Sequence, residues 1–230
     1  MEYGKEIVIG EFIDRPNRFN ALVKIDGKEE IVHVPNTGRC KEILTVGTKI
    51  LLRKEDNMTR KTAYDLIGAY KNGSLINIDS QIPNKVVLEA LINKKIGKLK
   101  EYTDILREKT YGKSRFDFKL AKENGEIYYL EVKGVTLEEN GFASFPDAPT
   151  DRGRKHLLEL VDVKEEGMGA GVLFLLQMEN MKEFTSNDKN DPAFGEALRY
   201  AKEKGVDIFV YSCIVTEKEI TLDKEIKLNL

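Results

Sequence analysis

The sequence predicts two domains, a small all-β barrel followed by a mixed α/β domain. Three observations carry that expectation. The first eighty or so residues hold five short strand patterns separated by turn signals. The remainder runs helix, hairpin strands, helix, strand, helix, strand. Within it, residues 171–177 (Gly-Val-Leu-Phe-Leu-Leu-Gln) are almost wholly apolar, the mark of a strand buried on both faces.

In chain order, strands are expected at residues 6–13, 19–25, 30–34, 49–53 and 64–70, with an Asp26-Gly27 turn after the second. Five such strands suit a small closed barrel, for which an OB-fold is the natural candidate. Residues 35–44 read as a turn leading into a short helical piece, and residues 75–84 as a linker. Asn84 is positioned to cap a helix over 85–94, whose Val86, Val87, Leu88, Ala90 and Leu91 supply a buried stripe. A further helix begins near Thr150. Another runs from Pro192 at its first turn to Gly205 past its end. A further strand is expected at 207–212. The domains divide as 1–82 and 83–230.

Composition excludes several classes. With 41% apolar and 33% charged residues in 230, the chain is a globular protein, and no run is apolar enough to span a bilayer. The amino terminus lacks signal-peptide anatomy. Cys40 and Cys213 are far apart, which suits a reduced cytoplasmic setting. With His33 and His156 they lack the spacing of a structural zinc site. Net charge is −2 but unevenly spread. Residues 81–133 carry 12 Lys/Arg against 8 Asp/Glu, and 134–230 carry 12 against 19. The basic excess therefore surrounds the central hairpin, where a phosphate backbone would dock.

That hairpin is the chemical centre of the sequence. Residues 116–120 and 127–133 flank an Asn124-Gly125 turn. A two-residue turn would set Phe118 against Glu131 and mix the faces. A three-residue loop, Glu123-Asn124-Gly125 with Gly in the left-handed position, keeps them apart. It aligns Phe116, Phe118 and Leu120 with Val132, Leu130 and Tyr128. It also sets Asp117 across from Glu131, with Cβ atoms roughly 4.5–5.5 Å apart. Two carboxylates that close require a cation or a proton between them. Mg²⁺ takes one or two carboxylates plus water and substrate phosphate. Lys133, two residues beyond Glu131, is placed to orient or deprotonate a water, or to offset charge on the phosphate. The same residues would also serve as a solvated hairpin face.

Several separate motifs resemble one family: 35–39 (Pro-Asn-Thr-Gly-Arg), Tyr111-Gly112 with 114–117 (Ser-Arg-Phe-Asp), Glu131-Val132-Lys133, and 145–153 (Phe-Pro-Asp-Ala-Pro-Thr-Asp-Arg-Gly) with 155–157 (Lys-His-Leu). Together they resemble the sugar fermentation stimulation protein A family, over nearly the whole chain. The resemblance implies an OB-fold domain followed by a restriction-endonuclease-like, PD-(D/E)XK domain. It also implies DNA binding and a link to the regulation of sugar-utilisation genes.

On this resemblance Asp117 corresponds to the first metal carboxylate, and Glu131 and Lys133 to the E-x-K. Glu89 corresponds to the acid of the preceding helix. Phe116 stands where the motif's name has Pro. The expected metal set is Asp117, Glu131, the carbonyl of Val132 and Glu89, holding Mg²⁺ or Mn²⁺. Arg39, Lys41, Arg115, Lys119, Arg152, Lys155 and His156 are the expected phosphate contacts. The expected function is a DNA-binding, metal-dependent nuclease, with a non-catalytic DNA-binding regulator as the alternative. No membrane partner is expected, and a homodimer fits the habit of such nucleases.

Overall fold

The computed structural model describes residues 1–57 and 59–230. A five-stranded barrel comes first: β1 (Ile7–Asp14), β2 (Asn20–Ile25), β3 (Lys28–His33), β4 (Lys49–Lys54) and β5 (Tyr64–Lys71). β1, β2 and β3 form an antiparallel meander, β4 joins the other edge of β1, and β5 joins β4. A parallel bridge between His33 and Asp65 closes the ring. The β2–β3 turn is Asp26-Gly27, both with positive φ (48° and 83°), as a hairpin matched to right-handed strand twist requires.

The chain then leaves the barrel through β6 (Ser74–Asn77) and α1 (Ile82–Ile92). A six-stranded mixed sheet has the order β15-β14-β12-β9-β8-β7. Its strands are β7 (Asp104–Tyr111), β8 (Ser114–Ala121), β9 (Ile127–Val135), β12 (Gly169–Leu176), β14 (Asp207–Val215) and β15 (Ile220–Glu225). Between them lie β10 (Glu138–Glu139), β11 (Phe142–Phe145), α2 (Asp151–Glu165), β13 (Glu183–Ser186) and α3 (Pro192–Glu203). β16 (Lys227–Asn229) completes a small second sheet, β10-β11-β13-β16. β12 pairs in parallel with β9 and β14, and all but its first residue is buried, as its apolar run predicts.

Two apolar cores position the site. On one face of the large sheet, Val86, Val87, Ala90 and Leu91 of α1 pack on Phe118, Leu120, Tyr128, Leu130 and Val132. On the other, Leu157, Leu160 and Val161 of α2 and Phe194 and Leu198 of α3 cover Phe116, Tyr129, Val172 and Phe174. That second core continues into the barrel interior.

Several expectations need correction. Asn84 does not cap α1: the helix starts at Ile82, with Gln81 as its cap and Pro83 in its first turn, a position where a missing N–H costs nothing. This frees the Asn84 side chain for other work. Residues 75–84 are not a slack linker. β6 adds to the edge of β5. Asn77 and Asp79 are buried, and Gln177 donates to Asn77 O, Asn77 Oδ1 and Asp79 O at 3.2, 2.9 and 3.1 Å. Residues 40–44 form one hydrogen-bonded turn and no helix.

Candidate metal and phosphodiester site

The β8–β9 hairpin has the longer loop. Its pairs are Phe118 with Leu130, Lys119 with Tyr129, Leu120 with Tyr128 and Ala121 with Ile127. Lys122 N donates to Glu126 O (2.9 Å), and Gly125 sits at φ 85°. The pairing stops at Phe118. There the Val132 N–H turns from the neighbouring backbone and donates to Asp117 Oδ2 at 2.8 Å. Beyond that point β8 turns its faces. Phe116 is not on the α1 side with Phe118 as expected, but packs on Tyr129 (ring centroids 5.7 Å) and edge-on to His156 (5.9 Å). On the facing edge strand, Glu108 sits in the left-handed region at φ 52°.

The carboxylates meet where the ladder opens. Asp117 Oδ1 accepts from Asn84 Nδ2 at 2.6 Å, so α1 supplies an amide clamp for the first acid. Glu131 is 4% exposed. Its Oε1 accepts from Lys133 Nζ at 2.6 Å and from His156 Nδ1 at 2.5 Å. Its Oε2 is buried with no hydrogen-bond partner among the described residues. A buried carboxylate oxygen without a donor is costly. It is the kind of vacancy a cation fills.

Electrostatics separates the two acids. Burial, with the nearby charge of Glu131, pushes Asp117 up to about 6. Burial works against ionised Glu131 as well. The His156 hydrogen bond and the Lys133 charge outweigh it and hold Glu131 below the usual carboxylate range. Glu131 is thus the committed anion, and Asp117 the acid that keeps its proton into mildly acidic pH. Among the described residues, no group of three or more His, Cys, Asp and Glu side chains gathers as a metal cage. Two carboxylates where the β8–β9 ladder ends instead match the sparse donor set of Mg²⁺, which keeps water and takes phosphate oxygens.

The structure redistributes the other expected residues. The Glu89 carboxylate is engaged with the Met1 ammonium at 3.0 Å. Asn84, one helical turn or so earlier, takes the place on α1 that touches Asp117. His156, expected at the phosphate, is turned inward. It is 4% exposed and braces Glu131 from α2, which Thr150 caps by accepting from Gly153 N. Helical periodicity carried that signal: His156 lies beside Leu157 and three residues after the buried Gly153. Arg152 and Lys155 are exposed on the same helix, and Lys155 Nζ reaches Lys113 O at 3.2 Å. Arg115 is exposed, 3.6 Å from Glu108, and Lys119 Nζ stands 5.9 Å over the Tyr129 ring. Arg39 and Lys41 are exposed on the barrel loop, remote in sequence from the other cations.

Sequence reasoning missed Arg15. Its guanidinium Nη1 donates to Gly38 O (2.6 Å) and Arg39 O (2.8 Å), and Nη2 to Arg18 O (2.8 Å) and Asn36 O (2.6 Å). One side chain thereby fixes the whole 36–39 loop. A single arginine before a proline has no pattern that announces such a role. Beside this loop a cleft of about 190 Å³ runs between Asn36, Thr37 and Gly38 of the barrel and Gly134, Val135 and Thr136, immediately after Lys133.

With fold and site in place, the comparisons with known proteins decide the family. Residues 13–78 match the model described as the SfsA N-terminal OB domain, and residues 81–219 the sugar fermentation stimulation protein RE domain. The chain belongs to the SfsA family. A sugar fermentation stimulation protein homolog of Clostridium botulinum (strain Hall) is 66% identical over the full length of both chains. One from the Alaska E43 strain is 63% identical over the same span. The structure of Pyrococcus furiosus SfsA in complex with Ca²⁺ superposes with a TM-score of 0.90 at 28% identity. The match covers 100% of this chain and 98% of that one. The architecture is thus that of the SfsA family, an OB barrel joined to a restriction-endonuclease-like mixed sheet. No helix among the described residues is long and apolar enough to cross a membrane.

Proposed function

We propose that the protein binds DNA and cleaves phosphodiesters with the help of a divalent cation, Mg²⁺ or Mn²⁺. The observation that carries this reading is the orphaned Oε2 of buried Glu131, with the Asp117 carboxyl in electrostatic reach and pushed up to about 6 by burial and the Glu131 charge. Asp117 and Glu131 would hold the cation, with the Val132 carbonyl as a further ligand. The Ca²⁺ complex of the Pyrococcus furiosus relative supports a divalent ion in the family. Bound there, the cation supplies a Lewis acid for the scissile phosphate.

The chain's own residues do the rest. Asn84 and the Val132 N–H hold the Asp117 carboxylate in one orientation. His156 and Lys133 hold Glu131 ionised. Lys133 Nζ has three protons and uses one on Glu131. The others can be presented to an attacking water or to a non-bridging oxygen as charge builds on it. Arg115, Lys119, Arg152 and Lys155 supply positive charge along the β8–α2 side, and Arg39 and Lys41 along the barrel side. On this reading residues 1–82 grip the strand and residues 83–230 cut it. A link to sugar-utilisation genes would then act through DNA.

Replacing Lys133 by Met tests the assignment. Cleavage of labelled DNA in Mg²⁺ should fall by at least ~100-fold, the scale of lost proton-transfer or electrostatic help. Gel-shift affinity should stay within about twofold. A Lys133→Met protein that cleaves normally would refute the role. DNA binding without cleavage by the wild type would favour the regulator that keeps the nuclease fold.

A further inference from the structure

We propose that the cleft at the seam of the two domains binds a small neutral molecule bearing several hydroxyl groups, of the size of one monosaccharide ring. The site lies outside the DNA-cleaving reading and does not depend on it.

The cleft of about 190 Å³ has unspent polar atoms on both walls. On the α/β side the most buried polar side chain is Gln177, 2% exposed. Its Nε2 is used on Asn77 O, Asn77 Oδ1 and Asp79 O, while its Oε1 accepts from no donor among the described residues. That oxygen faces Gly134, where a Cβ would meet it at 2.4 Å. A buried amide fixed at its nitrogen and open at its oxygen calls for a donor. The hydroxyls of Thr136 and Ser144 also line the cleft, and neither makes a hydrogen bond among the described residues. Across from them stands Thr37, equally free, in the loop that Arg15 holds by four hydrogen bonds. Asp147 reaches toward that loop: a Cβ on Gly38 would come within 2.9 Å of its Oδ2.

The chemistry of this set selects the ligand. Gln177 Oε1 and the Asp147 carboxylate only accept, and the three hydroxyls accept or donate. A matching ligand is therefore rich in donors. It carries no phosphate or carboxylate, because Asp147 is the one charged side chain in the lining. Arg18, Arg39 and Lys41 line the neighbouring wider section instead. Phe145, Val135 and Leu137 add apolar wall, which suits the C–H face of a ring better than a bare metal ion. The volume equals about six waters at ~30 Å³ each. That accommodates one such ring and falls short of the roughly 300 Å³ at which drug-sized sites begin. Gly134, Val135 and Thr136 directly follow Lys133, so an occupant joining them to the Thr37 loop would brace the strand that carries that lysine.

Calorimetry on the full chain in EDTA tests this, titrating glucose, galactose, mannose, ribose and xylose one at a time. At least one should bind with a Kd of about 1 mM or tighter. Thr136→Val and Asp147→Asn change side chains that are not buried. Each should weaken that binding by about 10-fold without moving the urea midpoint. Binding by none of the sugars, or unchanged affinity in either variant, would overturn the inference. Ca²⁺ titrated alone, without EDTA, reads the rival occupant. Heat that survives Asp117→Asn and disappears in Asp147→Asn would give the cleft to a cation and overturn the inference too. Cleavage enters none of these readings, so their failure leaves the nuclease assignment where it stands.

Discussion

Asp117 carries the sharpest residue-level prediction. Its folded pKa of about 6 lies above the ordinary 3.8. A raised carboxyl pKa favours the protonated fold, so its contribution is full below the unfolded value and is lost as pH rises through the folded one. The metal-free protein should therefore lose stability between about pH 4 and pH 6, and Asp117→Asn should flatten that decline in urea melts. Cation binding needs the ionised form, so the sign reverses for the metal. Ca²⁺ affinity by calorimetry should drop as pH falls through about 6, with proton uptake by buffer in that window. Affinity that ignores pH between 5 and 8 would contradict the assignment. The two acids could be singled out in the sequence by strand alternation, but the facing pair expected of Asp117 and Glu131 does not form, because the ladder ends at Phe118 and Leu130 and Asp117 turns to the Val132 N–H. Their braces could not be singled out. Asn84 reads as a helix cap and Glu89 as the better acid, and only the start of α1 at Ile82 decides between them.

Among elements, the loop at 36–39 depends on one side chain. Arg15→Ala should remove four charge-assisted hydrogen bonds and destabilise the barrel by at least about 2 kcal/mol in urea unfolding. Arg15→Lys should not rescue it, because an ammonium cannot span four carbonyls as a planar fork does. Wild-type stability in either variant would show that the clamp is dispensable. Which elements could be read follows the same physics. β8 and β9 alternate and carry a Gly turn, and β12 is a solid apolar run, so both were plain. β7 was missed because an edge strand with most of its residues exposed has no apolar period. β11, β13 and β16 are three or four residues long and exist only through mutual pairing. The face change at Phe116 was hidden too, since it comes from the ladder ending at Phe118 and not from the alternation itself.

Across the whole molecule, the barrel and the sheet share one continuous apolar core, and Gln177 ties β12's end to the exit of the barrel. The two domains should therefore unfold together, in one calorimetric transition whose enthalpy equals its van't Hoff value. Two resolved transitions would show independent domains. Gly134 lies at this junction, where a Cβ would meet Gln177 Oε1 at 2.4 Å and Pro83 Cγ at 2.7 Å. Gly134→Ala should cost roughly 1–3 kcal/mol and disturb the strand that carries Lys133. The domain order was legible from strand spacing alone, but this seam reads as a linker in sequence because its buried Asn77 and Asp79 find partners far away in the chain, among them Gln177, 100 residues from Asn77, and Arg53. The measurement that tests the central claim most directly is cleavage of labelled single- and double-stranded DNA in Mg²⁺, Mn²⁺ or EDTA, with wild type against Asp117→Ala. Cleavage that requires the metal and disappears in the variant is the predicted result. Cleavage that survives in EDTA or in Asp117→Ala would contradict the account.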